Sequence, residues 1–121
     1  MRALICGSRD WTYEGPIKRV LLQLKGAGFT TIIHGDARGA DRTAGKWADF
    51  FGLEVIKFPA NWKRDGIGAG PKRNQQMLDE GKPDRVVAFP LPQSKGTWDM
   101  VRRARKAGIP VTVVDDPWMG G

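Results

Sequence analysis

FTTIIHGDARGAD, from Phe29 to Asp41, is an apolar run that breaks at His34 into a turn bracketed by Gly35 and Gly39. An apolar run of this length is typical of a buried strand, and helical spacing resumes directly after the turn. A strand that ends in a glycine turn and leads into a helix offers backbone N–H groups to an anion. The stretch therefore predicts one unit of an α/β fold with an anion site at its turn.

Two other parts of the chain show the same order of strand, glycine and helix. Leu4–Cys6 ends at Gly7, and Val86–Phe89 is followed by Gly96 and Thr97. Because parallel strands end at one edge of a sheet, we expect these three strand ends to lie side by side. Ligands of open α/β sheets bind in the crevice beyond that edge.

Apolar residues at helical spacing predict the connecting helices. The residues from Ile17 to Leu24 follow the pattern of an amphipathic helix that begins near Pro16. Strands and helices alternate, which predicts a Rossmann-like three-layer α/β/α fold with a mainly parallel five-stranded sheet, because parallel neighbours need crossovers. The other expected helices span residues 44–51, 71–80 and 97–107, and the other expected strands span residues 53–58, 85–89 and 110–114.

The composition narrows the class of protein. The 121 residues suit one domain, residues 1–121, with a frayed tail from about residue 116. The single cysteine, Cys6, cannot form an internal disulfide, which favours a reducing, cytoplasmic setting. No apolar stretch approaches the roughly 20 residues of a membrane span, so no membrane partner is expected. The net charge of +7 indicates an anionic partner, while one histidine and one cysteine do not support a metal site.

The first strand end carries three candidate ligand-binding residues. Gly7 allows close approach to the backbone, Ser8 supplies a hydroxyl, and Arg9 supplies a planar fork for phosphate. The alternative is a tight turn with an exposed arginine. The Gly-Lys-Ser/Thr of a P-loop is absent, which argues against a P-loop ATPase.

The second strand end offers a carboxylate for sugar recognition. Asp36 and Arg38 lie within the turn Gly35–Gly39, and Asp36 is a candidate for hydrogen bonds to ribose hydroxyls. Asp41 is a candidate ligand-binding residue with the alternative role of an N-cap. His34 is interpreted as a satisfied core or edge histidine rather than a catalytic one.

The stretch Pro59–Gly70 is expected to be a long functional loop. Trp62 is a candidate to stack on a base, with packing against the core as the alternative. Lys72 and Arg73 lie at the expected start of a helix, where the dipole disfavours cations unless an anion is bound. This conflict predicts an anion at that helix.

The last strand end leads into a basic helix. Gly96 and Thr97 open it, with Ser94 or Thr97 as the candidate cap, and Asp99 complements the dipole in the first turn. A solvated face is favoured over a nucleic-acid footprint for the basic residues that follow. These residues are Arg102, Arg103, Arg105 and Lys106.

Motifs at the strand ends occur in a fixed order: GSRDW at 7–11, HGDARGAD at 34–41, PANW at 59–62, GPKRNQQML at 70–78 and GTWDMVRRA at 96–104. They resemble the SLOG superfamily, the Rossmann-like group that includes the lonely guy phosphoribohydrolases and DNA-processing protein A. The small YspA and YpsA-related members, common in bacteria and phages, are the most similar. The resemblance implies a nucleotide-type ligand such as AMP, ADP-ribose or an NAD-like molecule, no further cofactor, and a homodimer.

The sequence departs from the lonely guy enzymes at residues implied to act on an N-glycosidic bond. Those enzymes carry an R-K-x-x-M helix start and a P-G-G-x-G-T-x-x-E turn. Arg73 and Met77 match the first pattern, with Asn74 in place of the Lys. In the second pattern Met100 stands where the Glu would be. Asp99 is the residue directly before Met100, and on a helix its side chain is turned by about 100° from that of Met100.

The leading hypothesis is a nucleotide-binding sensor or processing protein. Its enzymatic version is N-glycosidic cleavage, with Arg73, Asp36 and Asp99 as catalytic candidates, because an oxocarbenium-like transition state needs a nearby carboxylate. The alternatives are a protein that binds single-stranded or duplex DNA through its basic surface, or one that binds a protein partner. The candidate ligand-binding residues are Gly7, Ser8, Arg9, Gly35, Asp36, Arg38, Gly39, Asp41, Trp62, Lys72, Arg73, Asn74, Gly96 and Thr97.

Overall fold

A parallel five-stranded sheet forms the centre of the structure, a computed structural model that describes residues 1–114. The strand order is β3-β2-β1-β4-β5, and every neighbouring pair is parallel. The predicted α/β fold is therefore confirmed, while the tail expected to fray from about residue 116 lies outside the described residues. The strands are β1 (Arg2–Gly7), β2 (Thr31–His34), β3 (Glu54–Lys57), β4 (Arg85–Phe89) and β5 (Val111–Val113).

The strand order places β1 at the centre of the sheet. The chain moves outward from β1 to β3 on one side and then returns to add β4 and β5 on the other. Leu4 of β1 accordingly lies opposite Ile33 on one side and Val86 on the other. A reversal of this kind opens a crevice at the carboxyl ends of the strands, where ligands bind in open α/β sheets.

Five α-helices connect the strands within residues 1–114. In the stretch Pro59–Gly70, predicted as a loop, a short helix and a 3₁₀ turn (Gly66–Gly68) form instead. The local cause is Asn61, whose side chain accepts the N–H of Arg64 (2.9 Å) and caps the short helix. The helices are α1 (Glu14–Gly26), α2 (Ala40–Phe50), α3 (Trp62–Asp65), α4 (Ala69–Gly81) and α5 (Lys95–Lys106).

The sheet is buried on both faces. Ala3 and Ile5 pack with α1 and α2, whereas Leu4 and Cys6 pack with α4 and α5. Successive side chains of a strand point to opposite faces, so β1 contributes to both layers of the core. Among residues 1–114, none of the helices has the length and apolar character needed to cross a bilayer.

Candidate functional site

Two adjoining clefts lie at the carboxyl ends of the strands. The larger, of about 530 Å³, is bounded by the turn after β1 and by the segment Gln93–Thr97 that opens α5. The smaller, of about 290 Å³, lies beside the turn after β2. Arg9, Ala37, Trp62 and Arg73 line both clefts. The structure thus brings together the strand ends that the sequence singled out.

Most predicted site residues line one of the two clefts, but Gly39 and Lys72 line neither. Lys72 Nζ pairs with Asp65 (3.2 Å), which neutralises a cation near the start of α4 without any ligand. The larger cleft is lined by Gly7, Ser8, Arg9, Asp41, Trp62, Arg73, Asn74, Gly96, Thr97 and Asp99, and the smaller by Gly35, Asp36 and Arg38 together with the shared residues.

The turn after β1 is closed by Ser8. Its Oγ accepts the N–H of Asp10 (3.1 Å), and its own N–H donates to the carbonyl of Phe89 (2.9 Å). Ser8 is buried, whereas Arg9 is exposed and places its guanidinium carbon 5.3 Å from the ring centroid of Trp62. Trp62 is 48% exposed, so the alternative that it packs against the core is wrong.

Asp41 closes the turn after β2. Its Oδ2 accepts the N–H groups of Gly35 (3.1 Å) and Ala37 (3.3 Å), and the side chain is 5% exposed. The N-cap interpretation is wrong, because Gly39 holds the N-cap position and Asp41 reaches back from the first turn of α2. Burial raises the pKa of Asp41 to about 6, although the two N–H groups and Arg73 oppose the rise.

Arg73 lies across the ends of β2 and β3. Its Nη1 donates to the carbonyls of Gly35 and Phe58, and its Nε donates to Asn74 Oδ1 (3.2 Å). A Cβ at Gly35 would lie within 3.0 Å of the Arg73 guanidinium and would displace it from this position. Burial lowers the pKa of Arg73, Asp41 raises it, and the nearby cation Arg9 lowers it further.

Asn74 links the two helices that border the larger cleft. Its Nδ2 donates to the Gly96 carbonyl (3.1 Å) and to Asp99 Oδ2 (3.1 Å). Arg103 Nε donates to the same carboxylate oxygen (2.8 Å). Met100, at the position of the lonely guy Glu, is buried in the core, whereas Asp99 lines the cleft. The carboxylate nearest to that missing Glu therefore faces the site.

Sequence reasoning missed several residues of the larger cleft, including Cys6 and Arg102. Cys6 lies at its floor as the last β1 residue before Gly7, and burial together with Asp41 raises the pKa of its thiol. Arg102 lines the wall and lies 3.6 Å from Asp99. The sequence signal that could have identified Arg102 is its position three residues after Asp99, which places both side chains on the same face of α5.

His34 is a core histidine, as interpreted, but it is only partly satisfied. Its Nδ1 accepts the N–H of Asp36 (2.9 Å), whereas Nε2 is buried against Gly45 with no hydrogen-bond partner among the described residues. Burial lowers the pKa of His34 to about 4, so the ring is neutral at pH 7. The bond to Asp36 holds that residue at a φ of 56°.

Comparison with known proteins identifies the family. Residues 1–64 match the model of YAcAr, the YspA, cpYpsA-related SLOG family. The chain belongs to this SLOG family. The Gene 61 protein of Mycobacterium phage D29 is 38% identical to it over 117 residues, which cover 91% of this chain and 93% of that protein. The matched residues 1–64 include Trp62 and the turns after β1 and β2 that line the larger cleft.

A solved structure shares the SLOG fold. The X-ray structure of DNA processing protein A from Streptococcus pneumoniae superimposes with a TM-score of 0.79 at 17% identity. The match covers 98% of this chain and 51% of that one, so the chain spans about half the length of that protein.

The start of α5 and the side chains of Arg9 and Arg73 line the larger cleft. Ser94 occupies the N-cap position of α5, but its Oγ accepts the N–H of Leu91 (2.9 Å), so the predicted side-chain cap does not form. The Lys95 N–H donates to the Gln93 carbonyl (2.9 Å). The N–H groups of Gly96 and Thr97, two residues that line the cleft, have no side-chain acceptor among the described residues. Within residues 1–114, Arg9 and Arg73 also form no ion pair.

Proposed function

We propose that this SLOG domain binds a nucleotide or nucleotide-derived ligand in the larger cleft, as a sensor or processing protein. The observation that carries the proposal is that Arg9 and Arg73 line this cleft together with the half-exposed ring of Trp62. Neither arginine forms an ion pair with a carboxylate among residues 1–114. Guanidinium groups bind phosphate, and an aromatic ring stacks on a base. The nucleotide is the ligand itself, and the proposal requires no further cofactor.

Replacing Trp62 by alanine is expected to weaken AMP binding about 5- to 150-fold, because stacking contributes about 1–3 kcal/mol per base. Trp62→Phe retains a ring and should keep most of the affinity. Both variants should melt at the wild-type temperature without ligand, since Trp62 is 48% exposed. Thermal shift and calorimetric titration with AMP make the comparison. Wild-type protein that AMP does not stabilise, or equal affinity in all three proteins, would contradict the proposal.

The same cleft supports hydrolysis of an N-glycosidic bond as an extension of the proposal. Asp99 lines the larger cleft and Asp36 the smaller, and either carboxylate would stabilise a cationic sugar transition state. The test is release of adenine during incubation with AMP. Release that Asp99→Asn or Asp36→Asn abolishes and Asp79→Asn retains would support hydrolysis, because Asp79 is exposed and lines neither cleft. No release would leave the cleft a binding site.

A second candidate function is binding of DNA by the outer face of α5. Arg102, Arg105 and Lys106 are exposed there, whereas Arg103 is held by Asp99 and Gln75. The structurally similar protein is by its name a DNA processing protein. Phosphate contacts of exposed basic residues produce affinity that falls steeply with salt.

If that face binds DNA, the double substitution Arg105→Ala and Lys106→Ala should lower the slope of log affinity against log salt by about 1–2. Arg19→Ala is the matched control, since Arg19 is an exposed basic residue on α1. Fluorescence anisotropy with a labelled single strand and a labelled duplex, from 50 to 200 mM NaCl, measures the slope. Absence of binding at the lowest salt would remove the DNA function.

A further inference from the structure

The larger and smaller clefts meet at Arg9, Arg73 and Trp62, which line both. We propose that the ligand is a nucleotide in which a diphosphate joins two sugar-bearing halves, with the diphosphate at this boundary and one half in each cleft. This inference rests on the proposed function and narrows it to one class of ligand. A nucleoside monophosphate would reach one cleft and the boundary, whereas a diphosphate-linked ligand reaches both.

The boundary carries two cations that form no direct ion pair. Neither Arg9 nor Arg73 has a salt-bridge partner among residues 1–114. Burial lowers the pKa of Arg73, the nearby carboxylate of Asp41 raises it, and the Arg9 guanidinium lowers it. Two cations held side by side repel each other, and an anion placed between them removes that repulsion. A diphosphate supplies negative charge to both guanidinium groups at once.

Arg73 has hydrogen-bond donors that are available to bind this anion. Its Nε and Nη1 are engaged by Asn74, Gly35 and Phe58, which fix the plane of the guanidinium. Its Nη2 has no hydrogen bond within the described part of the chain and is not buried. A side chain fixed by some of its N–H groups and open at the others is preorganised for phosphate.

The smaller cleft offers sugar recognition on the far side of the boundary. Asp36 lines it, and its carboxylate is 29% exposed with a single ion pair, to Arg42 at 3.5 Å. That pair is solvent-exposed and weak, so the carboxylate remains free to accept hydrogen bonds from vicinal hydroxyls. The second sugar of the ligand would therefore lie against Asp36, and the nucleoside would occupy the larger cleft beside Trp62.

The test compares AMP, ADP and ADP-ribose by calorimetric titration of the full chain. We expect ADP-ribose to bind at least about tenfold more tightly than AMP or ADP, and Asp36→Asn to remove about that factor for ADP-ribose alone. Asn is suitable because Asp36 has a φ of 56°, a conformation that Asn adopts readily. Asp79→Asn, which removes an exposed carboxylate outside both clefts, should leave all three affinities unchanged.

The outcomes separate this inference from the proposed function. ADP-ribose that binds no more tightly than AMP or ADP, or an Asp36→Asn effect equal for all three ligands, would overturn the two-sided ligand and leave nucleotide binding in place. Binding of none of the three would remove the proposed function itself. Tight binding of ADP-ribose that depends on Asp36 would establish the diphosphate-linked class.

Discussion

Replacing Asp41 by asparagine is expected to raise the free energy of unfolding at pH 7 by up to about 3 kcal/mol, because it removes a buried charge. The pKa of Asp41 is about 6 in the folded protein and 3.8 ordinarily. The fold therefore disfavours the ionised carboxylate. An asparagine oxygen can still accept the N–H groups of Gly35 and Ala37, so the turn after β2 keeps its hydrogen bonds.

The gain from Asp41→Asn should depend on pH in a definite direction. The folded protein holds a proton on Asp41 more strongly than the unfolded chain, so the penalty is present above pH 6 and is relieved as pH falls toward 3.8. His34 acts in the opposite sense, because its pKa drops from 6.5 to about 4. Its neutral form is favoured by folding, and stability is lost as pH falls from 6.5 to 4.

In the wild-type protein these two contributions offset each other between about pH 4 and pH 6. In Asp41→Asn the His34 contribution acts alone, so the variant loses stability as pH falls from 6.5 to 4. Its advantage over wild type shrinks below pH 6 because wild-type Asp41 becomes protonated, and the two proteins should converge near pH 4. Urea denaturation from pH 4.5 to pH 8, followed by tryptophan fluorescence, gives the difference directly. A variant less stable than wild type at pH 7 would show that the two N–H bonds outweigh the burial of the charge.

The location of this penalty supports a functional site at the same place. Asp41 lines the larger cleft and lies near Arg73 and Cys6, whose pKa values respond to it. Buried carboxylates with raised pKa values collect at ligand and catalytic sites, where function outweighs stability. A ligand that presents hydroxyl donors to Asp41 would favour its charged form and recover part of the penalty.

The order and type of the main elements could be predicted from the sequence because glycine turns and hydrophobic periodicity are local signals. The observed boundaries differ from the predicted ones where a residue expected in one element forms a hydrogen bond at the end of the neighbouring element. Phe29, expected in β2, instead donates its N–H to Leu24 O (3.0 Å) and closes the end of α1. The sequence predicts Pro71 as the start of α4, but a proline fits anywhere in the first turn, and the helix begins at Ala69.

The hydrogen bonds of the site could not be predicted, because they join residues distant in the chain. The start of α2 is set by Ala40, whose N–H donates to the carbonyl of Ser8 (3.1 Å). That contact moves Asp41 into the first turn and away from the N-cap position. The sequence predicts Asn74 as a ligand-binding residue, but not that it connects Arg73 to Asp99 across the cleft. Sequence spacing carries no record of such pairs.

Replacing Gly7 by alanine is expected to destabilise the fold by about 3 kcal/mol, because added atoms in a well-packed core force neighbours to shift. A Cβ at Gly7 would lie 2.5 Å from Ala40 Cβ and 2.8 Å from the carbonyl oxygen of Phe89. Neither neighbour is the flexible end of a long side chain, and the Phe89 carbonyl already accepts the Ser8 N–H. The melting temperature should fall by about 10 °C.

Gly96→Ala is the matched control, since Gly96 lines the same cleft but a Cβ there would meet nothing within 4 Å. Alanine is favoured over glycine in a helix by up to about 1 kcal/mol, so this variant should melt at or slightly above the wild-type temperature. Its methyl group would occupy space beside the first N–H groups of α5, and AMP affinity should fall. Equal loss of stability in the two variants would contradict this division, in which Gly7 is required by the packing of β1 against α2 and Gly96 by the ligand.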